Sequence, residues 1–125
     1  MLSLGVSNDK NLLNSLHNAI FGNDMVGDVG YLLYMGDEPI GVAKLKVTPE
    51  EMHVVEVGLV EEYRHKGYGD FFTRSLMNIF IDVTDRIIAD YVDDYFIKFG
   101  FKQQGDVMVV ESDKLVFPRK CQCGH

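Results

Sequence analysis

Cysteine, basic residues and long apolar runs are scarce in this sequence, and each scarcity excludes a class of protein. Only two of the 125 residues are cysteines, and both fall within the last five positions, so a disulfide framework is excluded for the rest of the chain. No apolar run approaches the roughly 20 residues needed to cross a bilayer, and the N-terminus lacks the basic and apolar segments of a signal peptide. A cytoplasmic protein with no membrane partner is expected.

Basic residues are outnumbered, because 12 Lys and Arg stand against 19 Asp and Glu, giving a formal net charge of −7. Nucleic-acid binders normally carry an excess of basic residues for phosphate contacts, so no nucleic-acid partner is expected. Against this background the consecutive residues Arg64-His65-Lys66 stand out. They could form a solvated turn or a local phosphate site, and the glycines that follow them favour the phosphate site.

The length and composition indicate one globular domain. An apolar fraction of 46% and a charged fraction of 25% are ordinary for a soluble domain, and 125 residues can enclose one core but not two. We predict a single domain over residues 1–117 and a C-terminal tail, 118–125. Cys121, Cys123 and His125 in this tail could bind zinc, but a structural zinc site needs a fourth ligand. A frayed tail and no metal are expected, with a metal-responsive tail as the alternative.

Apolar periodicity predicts a helix followed by three strands in the first half of the chain. Apolar residues recur at helical spacing over about residues 9–21, before Gly22. The runs Val29 to Met35 and Ile40 to Val47 flank turn-forming residues and predict a hairpin, and a further apolar run extends from Met52 to Val60. Three antiparallel strands in series are the simplest interpretation.

The second half of the chain predicts a helix, a strand and shorter elements. Apolar spacing marks a helix from Phe71 through about Asp82, and the run Arg86 to Tyr91 indicates a strand that follows it in a crossover unit. The remaining predictions are a short helix and a hairpin: Tyr95 to Phe99, capped by Asp93 and ended by Gly100, then Val107 to Glu111 and Lys114 to Phe117 flanking Ser112-Asp113. The predicted fold class is α/β in the α+β sense, a largely antiparallel mixed sheet covered by helices.

A glycine-punctuated turn lies between the third predicted strand and the second predicted helix. Arg64, Lys66, Gly67 and Gly69 stand there as Arg-x-x-Gly-x-Gly. Glycines let the backbone approach a ligand closely, and the helix that follows can aim backbone N–H groups at an anion. The turn is therefore predicted to bind phosphate.

Two motifs resemble those of the GNAT superfamily of acyl-CoA-dependent N-acetyltransferases. Arg64-His65-Lys66-Gly67-Tyr68-Gly69 is similar to the cofactor-binding signature of that family, Arg or Gln followed by x-x-Gly-x-Gly or Ala. Tyr95-Phe96-Ile97-Lys98-Phe99-Gly100-Phe101 is similar to its Phe-Tyr-x-Lys-x-Gly-Phe. The resemblance covers about residues 29–117 and implies a single-domain GNAT-like fold with helices on both faces of the sheet. The N-terminal part is shorter than is usual in the family, with one helix and no convincing first strand.

The resemblance implies an N-acetyltransferase that transfers an acetyl group from acetyl-CoA to a primary amine of an unidentified acceptor. The pantetheine arm is implied to lie along Val57, Gly58 and Leu59, and the pyrophosphate to meet the glycine turn. The turn residues implied in cofactor binding are Arg64, His65, Lys66, Gly67, Tyr68, Gly69 and Asp70. Gly58 indicates either a ligand that comes close to the backbone or a bulge in the strand.

The acceptor amine must lose a proton, and the family's usual base position, a strand glutamate, is His53 here. Glu56 is the nearest carboxylate in the same strand. Strict alternation places His53 and Glu56 on opposite faces, so only one of them can face the amine unless a bulge intervenes. Either residue could instead be structural, and both are candidates for the base.

The family's proton-donating tyrosine position is Phe96 here, and a phenyl ring cannot donate a proton. Tyr95 is the adjacent candidate for the acid and Tyr91 a further one, although Tyr95 could simply fill the core. These departures leave an alternative function open, an acyl-CoA-binding sensor or interaction module that has lost efficient catalysis. A homodimer that pairs through the predicted hairpin Val107 to Phe117 is the remaining expectation on partners.

Overall fold

A single seven-stranded sheet organises residues 1–118, the part of the chain that the computed structural model describes. Its strands are β1 (Leu2–Ser7), β2 (Gly30–Met35), β3 (Glu38–Val47), β4 (Glu51–Leu59), β5 (Arg86–Ala89), β6 (Lys102–Gln104) and β7 (Val107–Glu111). They lie in the order β1-β2-β3-β4-β5-β7-β6. The helices are α1 (Lys10–Phe21), α2 (Tyr68–Phe80) and the short 3-10 helices Glu61–Tyr63, Asp94–Phe99 and Ser112–Lys114.

Helix α1 covers one face of the first strands. The Asp9 side chain accepts a hydrogen bond from the Leu12 amide at 3.2 Å and caps the start of the helix, while Gly22 ends it in the left-handed conformation. The side chains that α1 and the following loop bury with those of β2 and β3 form one cluster, Leu13, Leu16, Met25, Leu32 and Val42. The predicted helix over about residues 9–21 is confirmed.

Helix α2 covers the opposite face. Successive strand residues point to opposite faces, so Leu32 faces α1 whereas Leu33 faces α2. The cluster beneath α2 contains Leu33, Ile40, Ala43, Leu59, Phe72 and Leu76. The same layer continues below β5 and β7 with a cluster that includes Met52, Val54, Met77, Phe96, Phe99 and Met108. The predicted fold class, a largely antiparallel mixed sheet covered by helices on both faces, is confirmed.

Strands β4 and β5 run parallel and are joined through α2, which confirms the predicted crossover unit. Their pairing ends at Val54 with Ala89, followed by one hydrogen bond from the Asp90 amide to the Val54 carbonyl at 2.9 Å. Within the described residues, β4 continues to Leu59 paired with β3 alone. Beyond Val54, the edge of β4 that faced β5 therefore lies open.

A β-bulge lies in β4 where the two strands diverge. Lys44 of β3 pairs with Glu56, whereas the next residue, Leu45, pairs with Val54. Val55 is therefore the extra residue on the bulged strand. Because a bulge bends its strand and increases the local twist, it helps to turn β4 away from β5 at this point.

The bulge also changes which side chains of β4 share a face. Met52 and Val54 lie in the cluster beneath α2, so His53 between them faces the side of α1. Glu56 contacts His17 of α1 and therefore faces the same side. The expectation that alternation separates His53 from Glu56 is wrong, because Val55 interrupts the alternation.

An additional strand, β1, precedes α1, so the expectation of no first strand is wrong. It pairs antiparallel with β2 along its whole length. Leu2, Leu4 and Val6 alternate with serine and glycine, which is the pattern of a strand with one buried face. This alternating pattern is a weak indication of a strand, because β1 is short and lies at the edge of the sheet, where Val6 is exposed.

The predicted C-terminal hairpin is also wrong. Strand β7 pairs with β5 on one side and with β6 on the other. A 3-10 helix, Ser112–Lys114, follows β7, and Leu115 then turns back into the core, so residues 115–117 form no strand. Both edges of β7 are thus engaged within the chain, so residues 107–117 do not form the hairpin through which a homodimer was expected to pair, and the homodimer itself stays a prediction.

Two further predictions concern short segments around the site. Helix α2 begins at Tyr68 instead of Phe71, so the glycine turn runs directly into its first turn. The predicted short helix is present as a 3-10 helix, whose cap Asp93 accepts a hydrogen bond from the Tyr95 amide at 2.9 Å. Gly100 ends this 3-10 helix with a φ of 99°, the left-handed conformation predicted for a glycine at this position.

Some predictions fall outside the residues that the structure describes. The possible zinc ligands Cys121, Cys123 and His125 lie there, as does the predicted tail 118–125 apart from Pro118. Within residues 1–118, no group of three or more His, Cys, Asp or Glu residues is arranged to hold a metal ion. No helix in that same range has the length and apolar character needed to span a membrane.

Candidate functional site

A cavity of about 370 Å³ opens where β4 leaves β5, next to the start of α2. Strand β4, the glycine turn, α2 and the segment after β5 all contribute to its wall. The lining residues are Val57, Gly58, Leu59, Arg64, Gly69, Asp70, Thr73, Tyr91 and Tyr95. The cavity therefore brings together residues of both sequence motifs, although about thirty positions separate them in the chain.

The glycine turn places the first turn of α2 at the mouth of this cavity. Gly67 precedes the helix with a φ of 83°, a conformation that glycine adopts without strain. The first amide of α2 that donates within the helix is that of Phe71, to the Gly67 carbonyl at 3.1 Å. The N–H groups of Tyr68 and Gly69 come before it, at the helix end that attracts anions. A Cβ on Gly69 would meet only Leu59 Cδ1, at 3.8 Å, so open space lies in front of this residue.

Arg64 lines the cavity and also joins three segments. Its Nε donates to the Leu59 carbonyl at 2.9 Å, and its Nη2 donates to the Ile20 carbonyl at 3.4 Å. The guanidinium thereby ties the end of β4 to the end of α1. The arginine of the motif has a structural role in the turn, which its sequence pattern alone did not indicate.

The predicted cofactor residues divide into two groups. The cavity wall contains Val57, Gly58, Leu59, Arg64, Gly69 and Asp70. The others, His65, Lys66, Gly67 and Tyr68, are not among the described residues that line it. They form the turn in front of α2, where His65 and Lys66 are exposed and His65 has a φ of 64°. Thr73 lines the cavity and was not predicted; it lies one helical turn after Gly69 and donates to the Gly69 carbonyl at 2.9 Å.

Tyr95 lines the cavity, and its hydroxyl contacts α2. The hydroxyl donates a hydrogen bond to Asp70 Oδ1 at 2.6 Å, and Arg74 Nε donates to the other carboxylate oxygen at 2.9 Å. Burial raises the pKa of Tyr95 well above its usual range, and the hydrogen bond to Asp70 raises it further. Burial opposes ionisation of Asp70, but the hydrogen bond from Tyr95 and the charge of Arg74 together lower its pKa. The pair therefore consists of a protonated phenol and an ionised carboxylate.

The neighbouring aromatic residues fill the core. Phe96 is only 1% exposed, and its ring lies among those of Tyr91, Tyr95 and Phe101. Tyr91 lines the cavity, and burial raises its pKa to about 12. Within this motif the hydroxyl that contacts α2 is thus that of Tyr95, and the side chain at the adjacent position packs into the core.

His53 bridges two carboxylates on the α1 side of the sheet. Its Nδ1 lies 2.6 Å from Asp90 Oδ1 and its Nε2 lies 2.9 Å from Glu51 Oε1, while Arg86 Nε donates to Glu51 Oε2 at 2.8 Å. The hydrogen bond with Asp90 raises the pKa of His53, although burial opposes it. Both ring nitrogens are engaged, so His53 links β4 to the end of β5.

Replacing His53 with Gln should destabilise the protein in a pH-dependent way. The folded state holds the His53 proton more tightly than the unfolded chain, whose histidines have a pKa near 6.5. The stabilisation is therefore complete below about pH 6.5 and is lost as the pH rises through the raised pKa of the folded state. The pKa of Glu51 is lowered, first by its hydrogen bond with His53, so its own contribution is lost only as the pH falls through that lowered value.

Thermal unfolding of the wild type and of His53→Gln at pH 5.5 and pH 9 measures this effect. We expect a stability difference of about 1 kcal/mol or less at the lower pH, as for partly exposed ion pairs, and a smaller one at the higher pH. A difference that is equal at both pH values, or larger at pH 9, would contradict the bridge.

Glu56 contacts a residue that was not among the candidates from the sequence. Its Oε1 lies 2.5 Å from Nε2 of His17, which is 3% exposed on the buried side of α1. The position of His17 could have indicated this contact, because the histidine falls among Leu13, Leu16 and Ile20 on the apolar face of the helix. A polar side chain in such a stripe needs a partner.

Gly58 is required by the packing of α1. A Cβ at this position would lie 2.5 Å from Ile20 Cγ2 and 2.7 Å from Phe21 Cζ. The bulge lies at Val55, and the group that comes close to Gly58 on this face is the end of α1. Neither of the two explanations predicted for Gly58, a bulge or a ligand, accounts for this close contact.

Known structures share this architecture, although no protein-family model and no curated protein matches the sequence. The ribosomal-protein-S18-alanine N-acetyltransferase from Escherichia coli aligns with a TM-score of 0.71 and 11% identity, over 97% of this chain and 98% of that one. Arabidopsis thaliana Naa50, in complex with the bisubstrate analogue CoA-Ac-MVNAL, aligns with a TM-score of 0.68 and 17% identity, over 86% and 95%.

A GNAT family acetyltransferase from Elizabethkingia anophelis, with acetyl-CoA bound, aligns with a TM-score of 0.61 and 10% identity, over 88% of this chain and 97% of that one. At such identities the likeness concerns the fold. The chain therefore has the fold of the GNAT superfamily, which confirms the fold that the resemblance of its two motifs implied.

Proposed function

We propose that this protein is an N-acetyltransferase that uses acetyl-CoA to acetylate a primary amine. The observation that carries the proposal is the cavity between the diverging strands β4 and β5, which is lined by the start of α2 and by Tyr95. Neighbours of the same fold are described with acetyl-CoA or a CoA-peptide analogue bound. We also propose that residues 1–117 form a single acetyltransferase domain.

The cavity suits an extended donor with amide groups. The open edge of β4 beyond Val54 can pair with the amides of a pantetheine arm, as an added strand would. Val57, Gly58 and Leu59 lie along this edge, and the open space at Gly69 leads from it to the N-terminus of α2. The turn from Arg64 to Asp70, with His65, Lys66, Gly67, Tyr68 and Gly69 between them, would hold the pyrophosphate through its backbone amides.

The chemistry needs a base for the amine and a donor for the leaving sulfur. Acetyl-CoA supplies an acetyl group on a thioester. An alkyl amine with a pKa near 10.4 is protonated at neutral pH and must lose a proton before it can attack. Glu56 is our candidate base, because it faces the α1 side next to the open edge, with His53 as the alternative. Tyr95 is the candidate acid, because it remains protonated and lines the cavity.

A second function, acyl-CoA sensing without efficient turnover, is favoured by two observations. The usual acid position is Phe96, which is buried in the core. The usual base position is His53, whose ring nitrogens both engage carboxylates. A protein with the donor cavity but neither of the usual catalytic groups could bind the ligand and report on it.

Calorimetry and a thiol-release assay separate the two functions. We expect acetyl-CoA to bind with one-to-one stoichiometry, and CoA release to depend on an added amine from a panel of polyamines, amino acids, peptides and aminoglycosides. Binding without release across the panel would favour the sensor. No binding of acetyl-CoA or CoA would contradict both functions.

A further inference from the structure

The two edges of the seven-stranded sheet differ in character. Strand β6, at one edge, has three residues and includes the exposed Lys102. Strand β1, at the other edge, has six residues, none of them charged and none a proline, and its register with β2 is uninterrupted. Proteins usually protect an edge strand from other chains by making it short or by placing a charge, a proline or a bulge in it. Strand β6 has such protection, whereas β1 has none.

The pairing of β1 with β2 shows which of its backbone groups face outward. The Gly36 amide donates to the Met1 carbonyl at 2.9 Å, so Met1 is a hydrogen-bonded position of this ladder. Bonded and non-bonded positions alternate along an antiparallel strand, so the odd-numbered residues of β1 bond to β2. The even-numbered residues direct their N–H and C=O groups away from β2; they are Leu2, Leu4 and Val6. Within residues 1–118, no strand pairs with this outer side of β1.

The side chains of β1 permit another strand to approach this edge. Leu2 and Leu4 pack at the margin of the cluster beneath α2, and Val6 shares their face by alternation but is 65% exposed. The opposite face of β1 carries only serine and glycine, which are small and uncharged. In a chain with a net charge of −7, this edge adds no charge that would repel a second copy.

We propose that β1 pairs with β1 of a second copy of this chain, antiparallel and about a two-fold axis perpendicular to the sheet. Leu4 then lies opposite the partner subunit's Leu4, and Leu2 lies opposite the partner subunit's Val6. Each opposed pair exchanges two hydrogen bonds, so this register uses every outward N–H and C=O group of Leu2, Leu4 and Val6. A register shifted by two residues in either direction would leave some of these groups without a partner.

The same register gives the exposed Val6 a neighbour. Opposed side chains of an antiparallel pair lie on one face of the sheet, so Val6 would pack against the partner subunit's Leu2, and such aliphatic pairs stabilise a ladder. A second copy is favoured over a strand of another protein, because the three outward residues of β1 supply both members of every pair. A two-fold axis requires this kind of self-complementary surface.

The dimer would leave the proposed donor cavity open. Strand β4 lines that cavity and is separated from β1 by β2 and β3. With neighbouring strands about 4.8 Å apart, β4 lies roughly 14 Å from the pairing edge. Dimerisation should therefore leave the affinity for acetyl-CoA unchanged, and the inference does not depend on the proposed function.

Sedimentation velocity over a series of protein concentrations tests the pairing. We expect the wild type to exchange between monomer and dimer with a Kd on the order of 10 μM, because one strand edge is smaller than a standard interface. Val6→Pro removes an outward N–H from each copy without removing a bond to β2. Val6→Glu keeps the backbone and places a carboxylate on the edge. Each variant should weaken the dimer by more than about tenfold.

The matched control is Gln104→Glu, which adds the same charge to an exposed residue of β6 at the opposite edge and should dimerise as the wild type does. Thermal unfolding in dilute solution shows whether each variant folds, and Val6→Glu decides the test if Val6→Pro does not. A wild type that stays monomeric up to about 1 mM would overturn the proposal. A folded Val6→Glu that dimerises as tightly as the wild type would also overturn it, as would equal weakening by Gln104→Glu.

Discussion

Replacing Gly69 with valine should lower the affinity for acetyl-CoA by roughly a hundredfold while changing the free energy of unfolding by less than about 1 kcal/mol. Gly69 has no left-handed backbone that would be strained, and a Cβ there meets only Leu59 Cδ1 at 3.8 Å. The protein itself can therefore accept a larger side chain. Two methyl groups would instead occupy the cavity in front of the α2 N-terminus, where the donor's phosphates are proposed to lie.

Alanine at the same position is the matched control. Its single Cβ makes an ordinary contact with Leu59, and the family signature that this turn resembles allows glycine or alanine there. We expect Gly69→Ala to bind acetyl-CoA within about threefold of the wild type and to be slightly more stable, because alanine favours a helix over glycine. Calorimetry for binding and thermal unfolding for stability measure both quantities on the same samples. Equal binding by the alanine and valine variants would place the phosphates elsewhere.

Removing the Tyr95 hydroxyl should lower kcat by about a hundredfold, at the lower end of the range for general acid catalysis. Tyr95→Phe retains the ring that packs against Phe96 and Phe99 and loses only the hydroxyl, the proposed proton donor. It also removes one hydrogen bond to Asp70, which keeps that from Arg74. Binding of acetyl-CoA should therefore change little, and the loss should appear in kcat.

Adding a hydroxyl at the next position, 96, should not increase kcat. Phe96→Tyr creates the order of residues usual in the family motif, yet it places a hydroxyl in a site that is 1% exposed and surrounded by aromatic rings. We expect a loss of about 1–3 kcal/mol in stability from the buried polar group and no increase in kcat. The double variant Tyr95→Phe/Phe96→Tyr should remain as slow as Tyr95→Phe. Recovery of kcat in that double variant would show that position 96 can supply the acid.

The predictions that succeeded depended on local patterns. The turn from Arg64 to Gly69 could be located because glycines between two apolar runs have few alternatives. The cap at Asp93 and the helix end at Gly100 likewise follow from short-range chemistry. Strands β2 to β4 were predictable as a series because each apolar run was separated from the next by turn residues.

The predictions that failed depended on partners distant in the sequence. His17 lies 39 positions from Glu56, and only the packing of α1 on β4 brings them together. The hairpin assigned to residues 107–117 failed because β7 had better partners on both sides, β5 and the short β6. The link that Arg64 makes to α1 was hidden for the same reason, since the Ile20 carbonyl that it contacts lies 44 positions away.

The bulge at Val55 makes β4 longer than the strand it pairs with, and this extra length bears on the origin of the cavity. If Val55 were deleted, Val54 and Glu56 would become neighbours in a regular strand, and their side chains would point to the same faces of the sheet as they do now. What the extra residue supplies is length, since β4 spans one more residue than β3 over the same ladder. The opening that could admit a ligand thus arises from a mismatch between two backbones, and chains that differ at every side chain of the site could still share it.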